Sequence, residues 1–129
     1  MKKYVVNAKD YKPDARLDYD KGFSNMDLTW VVTDENCPVT ECSVGFTQKI
    51  PGGLHRLHLH RKADELIIML KGKAIERVGD VDYELNVGDL CFIPRNVPHS
   101  HTCLEPVETY CIYIGATNFD ATEYVLLDE

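Results

Sequence analysis

The stretch GGLHRLHLHRKADELIIMLKG, residues 52–72, contains three of the chain's five histidines and an adjacent acidic pair. Side chains on a β-strand alternate between its two faces, so His58 and His60 are expected to point the same way, about 7 Å apart. Two imidazoles directed together into a core are costly unless something binds them. Glu65 begins the next predicted strand after a short polar corner, which would let its carboxylate fold back toward both rings.

A further histidine, His99, follows Pro98 at the start of a later predicted strand. Three neutral imidazoles and one carboxylate suit a divalent transition metal, and an octahedral ion would keep two open positions. Each piece alone has a simpler interpretation: a polar strand surface for the histidine pair, a salt bridge for Glu65 and a turn cap for His99. Their joint spacing favours a metal site.

Two spaced motifs carry a family resemblance. The patterns are Gly52-x5-His58-x-His60-x4-Glu65-x6-Gly72 and Gly88-x5-Pro94-x-Asn96-x2-His99. They resemble the first and second motifs of the cupin superfamily, and the segment between them, residues 73–87, fits the short spacing of compact bacterial single-domain cupins. The resemblance covers roughly residues 40–115.

Two positions depart from the family pattern without touching the candidate ligands. Asn96 stands where the family usually has glycine, but asparagine tolerates the left-handed turn that glycine would serve. Cys103 stands where the pattern often ends in asparagine. A thiol cannot reproduce the donors and acceptor of an amide, so any supporting role at that position is open.

The resemblance implies an all-β fold, the double-stranded β-helix or jelly roll, with a metal in the barrel mouth. It implies that the ligands are His58, His60, Glu65 and His99, and that each chain holds one divalent transition metal ion, with Fe, Mn, Ni, Co, Cu and Zn as candidates. Residues 1–129 are expected to form a single cupin domain, with N-terminal strands and a C-terminal tail flanking the barrel core at about 40–115.

The strand pattern favours the same architecture. Segments of five to nine residues alternate in polarity and end at Gly, Pro, Asp or Asn, which is typical of a sandwich or barrel. No strong helix is predicted, and residues 11–20 are at most a turn or short helix. The tail, residues 118–129, is expected to cap the barrel or to exchange with a partner subunit.

Composition limits the function classes. The net charge of −7 argues against nucleic acid, which needs clustered basic side chains. Apolar runs such as residues 66–70 are far shorter than the roughly 20 residues of a membrane span. Five cysteines without a CxxC pair are interpreted as free thiols, and no signal peptide is visible, so a cytoplasmic location is expected.

Strand parity predicts which residues line a pocket around the metal. His101 shares the face of His99 and is a candidate catalytic proton shuttle or, equally, a hydrogen-bond partner that orients a ligand. His55 has the opposite parity to His58 and is expected at the surface. Arg56 either reaches the cavity mouth to bind an anion or is simply exposed. The other candidate substrate-binding residues are Gln48, Phe46, Ile67, Met69, Tyr83 and Tyr110, and Tyr113 is a further possible phenol donor.

Two function classes stay open. The first is a metal-dependent enzyme acting on a small oxygen-bearing organic molecule, as a dioxygenase, an isomerase or epimerase, or a lyase or decarboxylase. The second is a non-catalytic cupin that binds a sugar or another small molecule. The presence of all four ligands favours the enzyme. The resemblance also suggests a homodimer. Outward-facing Leu66, Ile68 and Leu70 offer an apolar surface for it, or they pack beneath the second sheet of the same barrel.

Overall fold

The ordered elements of the protein are nearly all strands. A computed structural model describes residues 2–17 and 21–128, with short 3-10 turns at Ala8–Asp10 and Asp120–Thr122. The strands are β1 (Phe23–Val32), β2 (Cys42–His60), β3 (Asp64–Lys71), β4 (Ala74–Val78), β5 (Val81–Leu85), β6 (Leu90–Ile93), β7 (His99–Cys103), β8 (Val107–Ile114) and β9 (Tyr124–Leu126). The predicted all-β fold class is confirmed.

The strands wind into a barrel around one long central strand. Their hydrogen-bonded order is β5-β4-β7-β2-β8-β3-β6, and β1 and β9 both pair with β2. The first half of β2 pairs with β8, whereas its second half pairs with β7 and β9. Strand β2 therefore belongs to both walls, in the manner of a double-stranded β-helix, and it crosses between them near residues 50–53.

The barrel interior is apolar in two patches and polar between them. One buried cluster includes Ile67, Ile93 and Tyr113, and the other includes Met69, Leu85 and Val107. Burying these side chains stabilises the fold by roughly 1.5–3 kcal/mol each. The buried polar positions among the described residues carry histidines, carboxylates, threonines, one serine and one lysine.

Two turns hold the ends of the strands in unusual backbone conformations. Gly72 has a φ of +82°, and a Cβ added there would lie 2.1 Å from the Pro106 carbonyl oxygen, so no other residue fits. Asn96 has a φ of +67°, which confirms that asparagine takes the left-handed conformation expected at this position. That turn leads directly into Pro98 and the start of β7.

The segments flanking the barrel are described in part. Residues 11–17 contain a turn in which the Leu17 amide donates to the Asp14 carbonyl oxygen at 3.2 Å; the rest of the predicted turn or short helix, residues 18–20, lies outside the described residues. At the other end, β9 pairs with β2 of its own chain. Across the described residues, no helix is long and apolar enough to cross a membrane.

Candidate metal centre

The four predicted ligands converge inside the barrel. His58 and His60 lie at the end of β2, Glu65 lies at the start of β3, and His99 is the first residue of β7. All four side chains are buried, and one ligand atom from each lies within 4.8 Å of the others. The polar corner at residues 61–63 is short enough to keep Glu65 beside the histidine pair, as the sequence predicts.

Hydrogen bonds fix the tautomer of each histidine in this group. The Nδ1–H groups of His58 and His99 donate to the carbonyl oxygens of Arg56 at 2.6 Å and Val97 at 3.0 Å. A carbonyl oxygen only accepts, so in the neutral ring Nδ1 must carry the proton and Nε2 the lone pair. Outer partners of this kind orient metal-binding histidines in proteins.

His60 is held in the same tautomer by a side chain from the tail. Its Nδ1 lies 2.9 Å from Thr122 Oγ1, and that hydroxyl donates its own proton to the Phe119 carbonyl oxygen at 2.7 Å. The hydroxyl therefore accepts from the Nδ1–H of His60 and leaves Nε2 as the lone-pair nitrogen. Thr122 of the tail therefore orients the His60 ring of its own chain.

The ligand atoms face one another as acceptors. Glu65 Oε1 lies 3.1 Å from His99 Nε2 and 3.4 Å from His60 Nε2, and the Nε2 atoms of His58 and His60 are buried without a hydrogen-bond partner. Buried acceptors that point at each other are costly unless a cation or a proton lies between them. The residues present therefore fit a divalent cation.

Electrostatics within the group agree with that fit. Burial alone would raise the pKa of Glu65, but a proton held between its carboxylate and the rings of His60 and His99, in the place that a cation would take, outweighs burial and keeps the pKa well below its ordinary value. Burial keeps the pKa of His58 well below its usual range, so this ring is neutral at neutral pH. An ionised carboxylate beside a neutral imidazole is the protonation state that a metal requires.

A small cavity adjoins the ligand set on the inner side of the barrel. It measures about 20 Å³ and is bordered by three of the ligands and by residues from several other strands. Those other residues are Met26, Lys49, His55, Ile67, Glu76, His101, Thr109, Cys111 and Tyr113. A space of this size holds about one water molecule.

The expectation that His55 lies at the surface is wrong. His55 is buried, and its ring stacks on His58 with the centroids 3.6 Å apart. The pairing of β2 with β7 explains this, because His55 opposes His101 while His58 opposes His99, so one extra residue bulges out of β2 between them. A bulge shifts the alternation by one position, and both histidines then face inward.

His101 lies inside the barrel beside the cavity. Its Nδ1–H donates to Glu76 Oε1 at 2.6 Å, while His101 Nε2 and Glu76 Oε2 are buried without hydrogen-bond partners. The predicted shared face with His99 is therefore present. Glu76 was missed by the sequence reasoning, although the alternation of Ala74, Glu76 and Val78 on β4 would place it on an inward face.

The other predicted pocket residues are scattered. Ile67 borders the cavity, but Met69 lies in the apolar core, and Phe46 packs against Tyr110 on the outer face with ring centroids 5.5 Å apart. Gln48 borders a larger outer cleft, and Tyr83 borders a separate surface depression beside β6. Arg56 is half-buried and contributes its carbonyl oxygen to His58, and Tyr113 is buried against His60.

The outward direction of Phe46 and Gln48 has a simple cause. Alternation correctly groups Val44, Phe46 and Gln48 on one face of β2, but the inward face is the one that carries Ser43, Thr47 and Lys49. The sequence pattern defines two faces and does not say which is inside when the interior is polar. Lys49 was missed for the same reason.

Solved structures share this fold. The chain superimposes on a Lactobacillus farciminis oxalate decarboxylase in complex with formate, with a TM-score of 0.74 and 20% identity over 92% of this chain and 34% of the other. A predicted oxalate decarboxylase from Thermotoga maritima gives a TM-score of 0.74 and 19% identity over 85% of this chain and 97% of the other. KdgF from Halomonas sp. gives a TM-score of 0.64 and 13% identity over 77% of this chain and 90% of the other. The chain thus spans about a third of the first of these proteins.

Fold and site together define a β-barrel protein with a buried three-histidine, one-carboxylate centre suited to a metal ion. The cupin domain model matches residues 47–113, just over half of the chain. The chain belongs to the cupin family. No curated protein sequence matches it.

Proposed function

We propose that the protein is a metal-dependent cupin enzyme that acts on a small oxygen-bearing organic molecule. The observation that carries the proposal is the ligand geometry: three Nε2 lone pairs with fixed tautomers and one ionised carboxylate meet in a buried space. His58, His60, Glu65 and His99 would hold one divalent transition metal ion. Bound there, such an ion would supply Lewis acidity to a carbonyl or carboxylate oxygen, or would bind dioxygen if it is iron.

The surrounding residues supply what catalysis needs besides the ion. The barrel wall and the tail exclude water, since the ligands and their cavity are buried. His101 and Glu76 form a hydrogen-bonded acid–base pair beside the cavity, and the unpartnered His101 Nε2 is free to accept or return a proton of a bound molecule.

The decisive experiment joins metal content with turnover. Protein purified without chelators is expected to hold about one transition metal ion per chain, and His58→Ala is expected to lose it. Metal-loaded protein is then screened by mass spectrometry against small acids, keto compounds and sugars, with and without oxygen. Turnover that persists without oxygen excludes a dioxygenase, whereas metal retained in His58→Ala would overturn the proposal.

We also propose a homodimer that covers the outer face of the barrel. Leu66, Ile68 and Leu70 do not pack beneath the second sheet: they point outward, next to exposed Leu90 and Phe92. Tyr110, Ile112, Ile114, Val44 and Phe46 continue the same face along β8 and β2. A contiguous apolar face of this extent is typical of a protein interface.

A cytoplasmic location completes the proposal. All five cysteines are free thiols, and Cys37, Cys103 and Cys111 are buried as small apolar side chains. Burial raises the pKa of Cys91 to about 12, which keeps that thiol protonated and unreactive at neutral pH. Free thiols in this number suit a reducing compartment.

A further inference from the structure

A buried lysine borders the cavity beside the candidate metal ligands. Lys49 points inward from β2, and only 6% of its surface is exposed. Burial lowers its pKa, while the charge of Glu76 and, more weakly, that of Glu65 oppose the shift. Lysine is rarely buried this far without a role, because its ammonium group must give up hydration.

Lys49 and Met26 form the wall between two spaces. Both residues border the small cavity beside the ligands, and both also border an outer cleft of about 480 Å³. Of the lysines that border this cleft, Lys71 is exposed at its rim, whereas Lys49 reaches through to the inner side. The cleft is therefore separated from the metal-side cavity by two flexible side chains.

The sizes of the two spaces require this wall to move. The inner cavity holds about one water molecule, so an organic ligand fits beside the metal ligands only if a bordering side chain is displaced. Met26 is suited to that movement because methionine has three rotatable bonds. The backbone next to it is also irregular: Asn25 has a φ of +52°, and the pairing of β1 with β2 jumps from Leu54 to Lys49 at this point.

The net charge around the small cavity then favours one class of ligand. The carboxylates facing the cavity are Glu65 and Glu76, Lys49 is the lysine that borders it, and His101 donates through Nδ1 to Glu76. With a divalent ion on the ligands, the positive charges of the ion and Lys49 exceed the two negative charges by one. A ligand with a single negative charge would balance the site.

We propose that a small organic monoanion enters from the outer cleft past Met26 and is held by the Lys49 ammonium group. Another of its oxygens would then be directed toward the ion that the four ligands hold. This inference rests on the proposed function, and it names the substrate class of the same site. Lys49 is then a binding residue, because it contacts the substrate. Its three N–H donors allow it to hold the anion while it also interacts with Glu76.

The test uses Co²⁺-loaded protein with acetate as the probe and acetamide as a neutral molecule of the same size. Calorimetry measures affinity, and the visible absorption of Co²⁺ reports whether the probe reaches the ion. Lys49→Met is expected to weaken acetate binding tenfold or more and to leave acetamide binding unchanged, since a charged hydrogen-bond donor is lost. Lys49→Arg is expected to restore part of the affinity, and Lys71→Met, the matched control at the cleft rim, to change it less than twofold.

Access is tested in the same system by stopped-flow absorption. Met26→Ala is expected to speed the acetate-induced spectral change several-fold, while Met26→Phe slows it. Unchanged rates in both variants would overturn the route past Met26.

The remaining outcomes separate this inference from the proposed function. Wild-type Co²⁺ protein that does not bind acetate, Lys49→Met that binds it as well as wild type, or equal losses for acetate and acetamide would each overturn the role of Lys49. In all three cases, the proposed metal centre would still be supported if the wild-type protein binds Co²⁺ and His58→Ala does not. Co²⁺ that His58→Ala retains would instead remove the proposed function.

Discussion

The inner face of the barrel wall carries charged and polar side chains beside its apolar core, whereas the outer face of the same strands carries several apolar ones. On β2 and β3 the inward positions include Lys49, His58 and Glu65, whereas the outward positions include Phe46 and Ile68. Polar groups inside a barrel are costly unless they are paired or bind something. Apolar groups outside it are exposed unless something covers them. The two faces therefore support the two proposals made for this wall: an interior that would bind an ion, and an exterior that would bind a second copy.

The largest expected effect concerns the inner face, where loss of bound metal distinguishes a ligand histidine from a buried histidine outside the ligand set. His99→Ala should reduce the bound transition metal from about one ion per chain to near zero, because it removes one of four ligands and opens the site to water. His55→Phe is the matched control, since His55 is equally buried and stacks on His58 but has no place in the ligand set. Elemental mass spectrometry measures both. Equal metal loss in the two variants would mean that burial, not ligation, makes the site.

The next effect lies on the outer face. Ile68→Glu should weaken the homodimer a hundredfold or more, because a charge would be placed at the centre of the apolar face. Val5→Glu is the control: Val5 is exposed in the segment before β1 and is not one of the residues of that face. Sedimentation velocity over a range of concentrations gives the association constant. A wild-type protein that stays monomeric at high concentration would contradict the proposed interface.

A smaller effect tests the contact between tail and ligand. Thr122→Val keeps the shape of the side chain but removes the hydroxyl that accepts from the Nδ1–H of His60. Loss of such an outer partner typically costs 10–100-fold in metal affinity, and a competition titration with a chromophoric chelator measures it. Thr33→Val, a buried threonine outside the site, should leave the affinity unchanged. Unchanged affinity in Thr122→Val would show that the ring needs no orientation by the tail.

The smallest effect is the pH dependence of the metal-free protein. Burial lowers the pKa values of His55, His58 and His101, so the unfolded chain takes up protons on these rings below about pH 6.5 while the folded chain does not. His99 acts in the opposite direction, because Glu65 raises its pKa against the effect of burial. The free energy of unfolding should therefore fall as the pH drops below about 6.5.

Denaturant unfolding of chelator-treated protein at several pH values measures that slope. Each imidazole kept neutral contributes up to about 1.4 kcal/mol per pH unit. His55→Phe should reduce the slope by about one such contribution, whereas a slope identical to wild type would show that His55 titrates in the folded protein.

The comparison of the two faces also explains which parts were predictable from sequence. Ligand spacing is local: His58 and His60 share a strand, and Glu65 follows after a short corner, so their convergence was predicted correctly. The inward position of His55 was not predicted, because the bulge in β2 depends on pairing with β7, a strand more than 40 residues away. The identity of the inner face of β2 was missed as well, since an interior lined by Thr47 and Lys49 reads as a solvent-facing pattern.

The coordination of a bound metal tests the central claim most directly. X-ray absorption at the metal edge, on protein purified without chelators, reports the number and type of atoms around the ion. We expect three imidazole nitrogens and one carboxylate oxygen at roughly 2.0–2.2 Å, with any further ligands being light atoms from solvent. A sulfur ligand from one of the five cysteines, or fewer than three imidazoles, would contradict it.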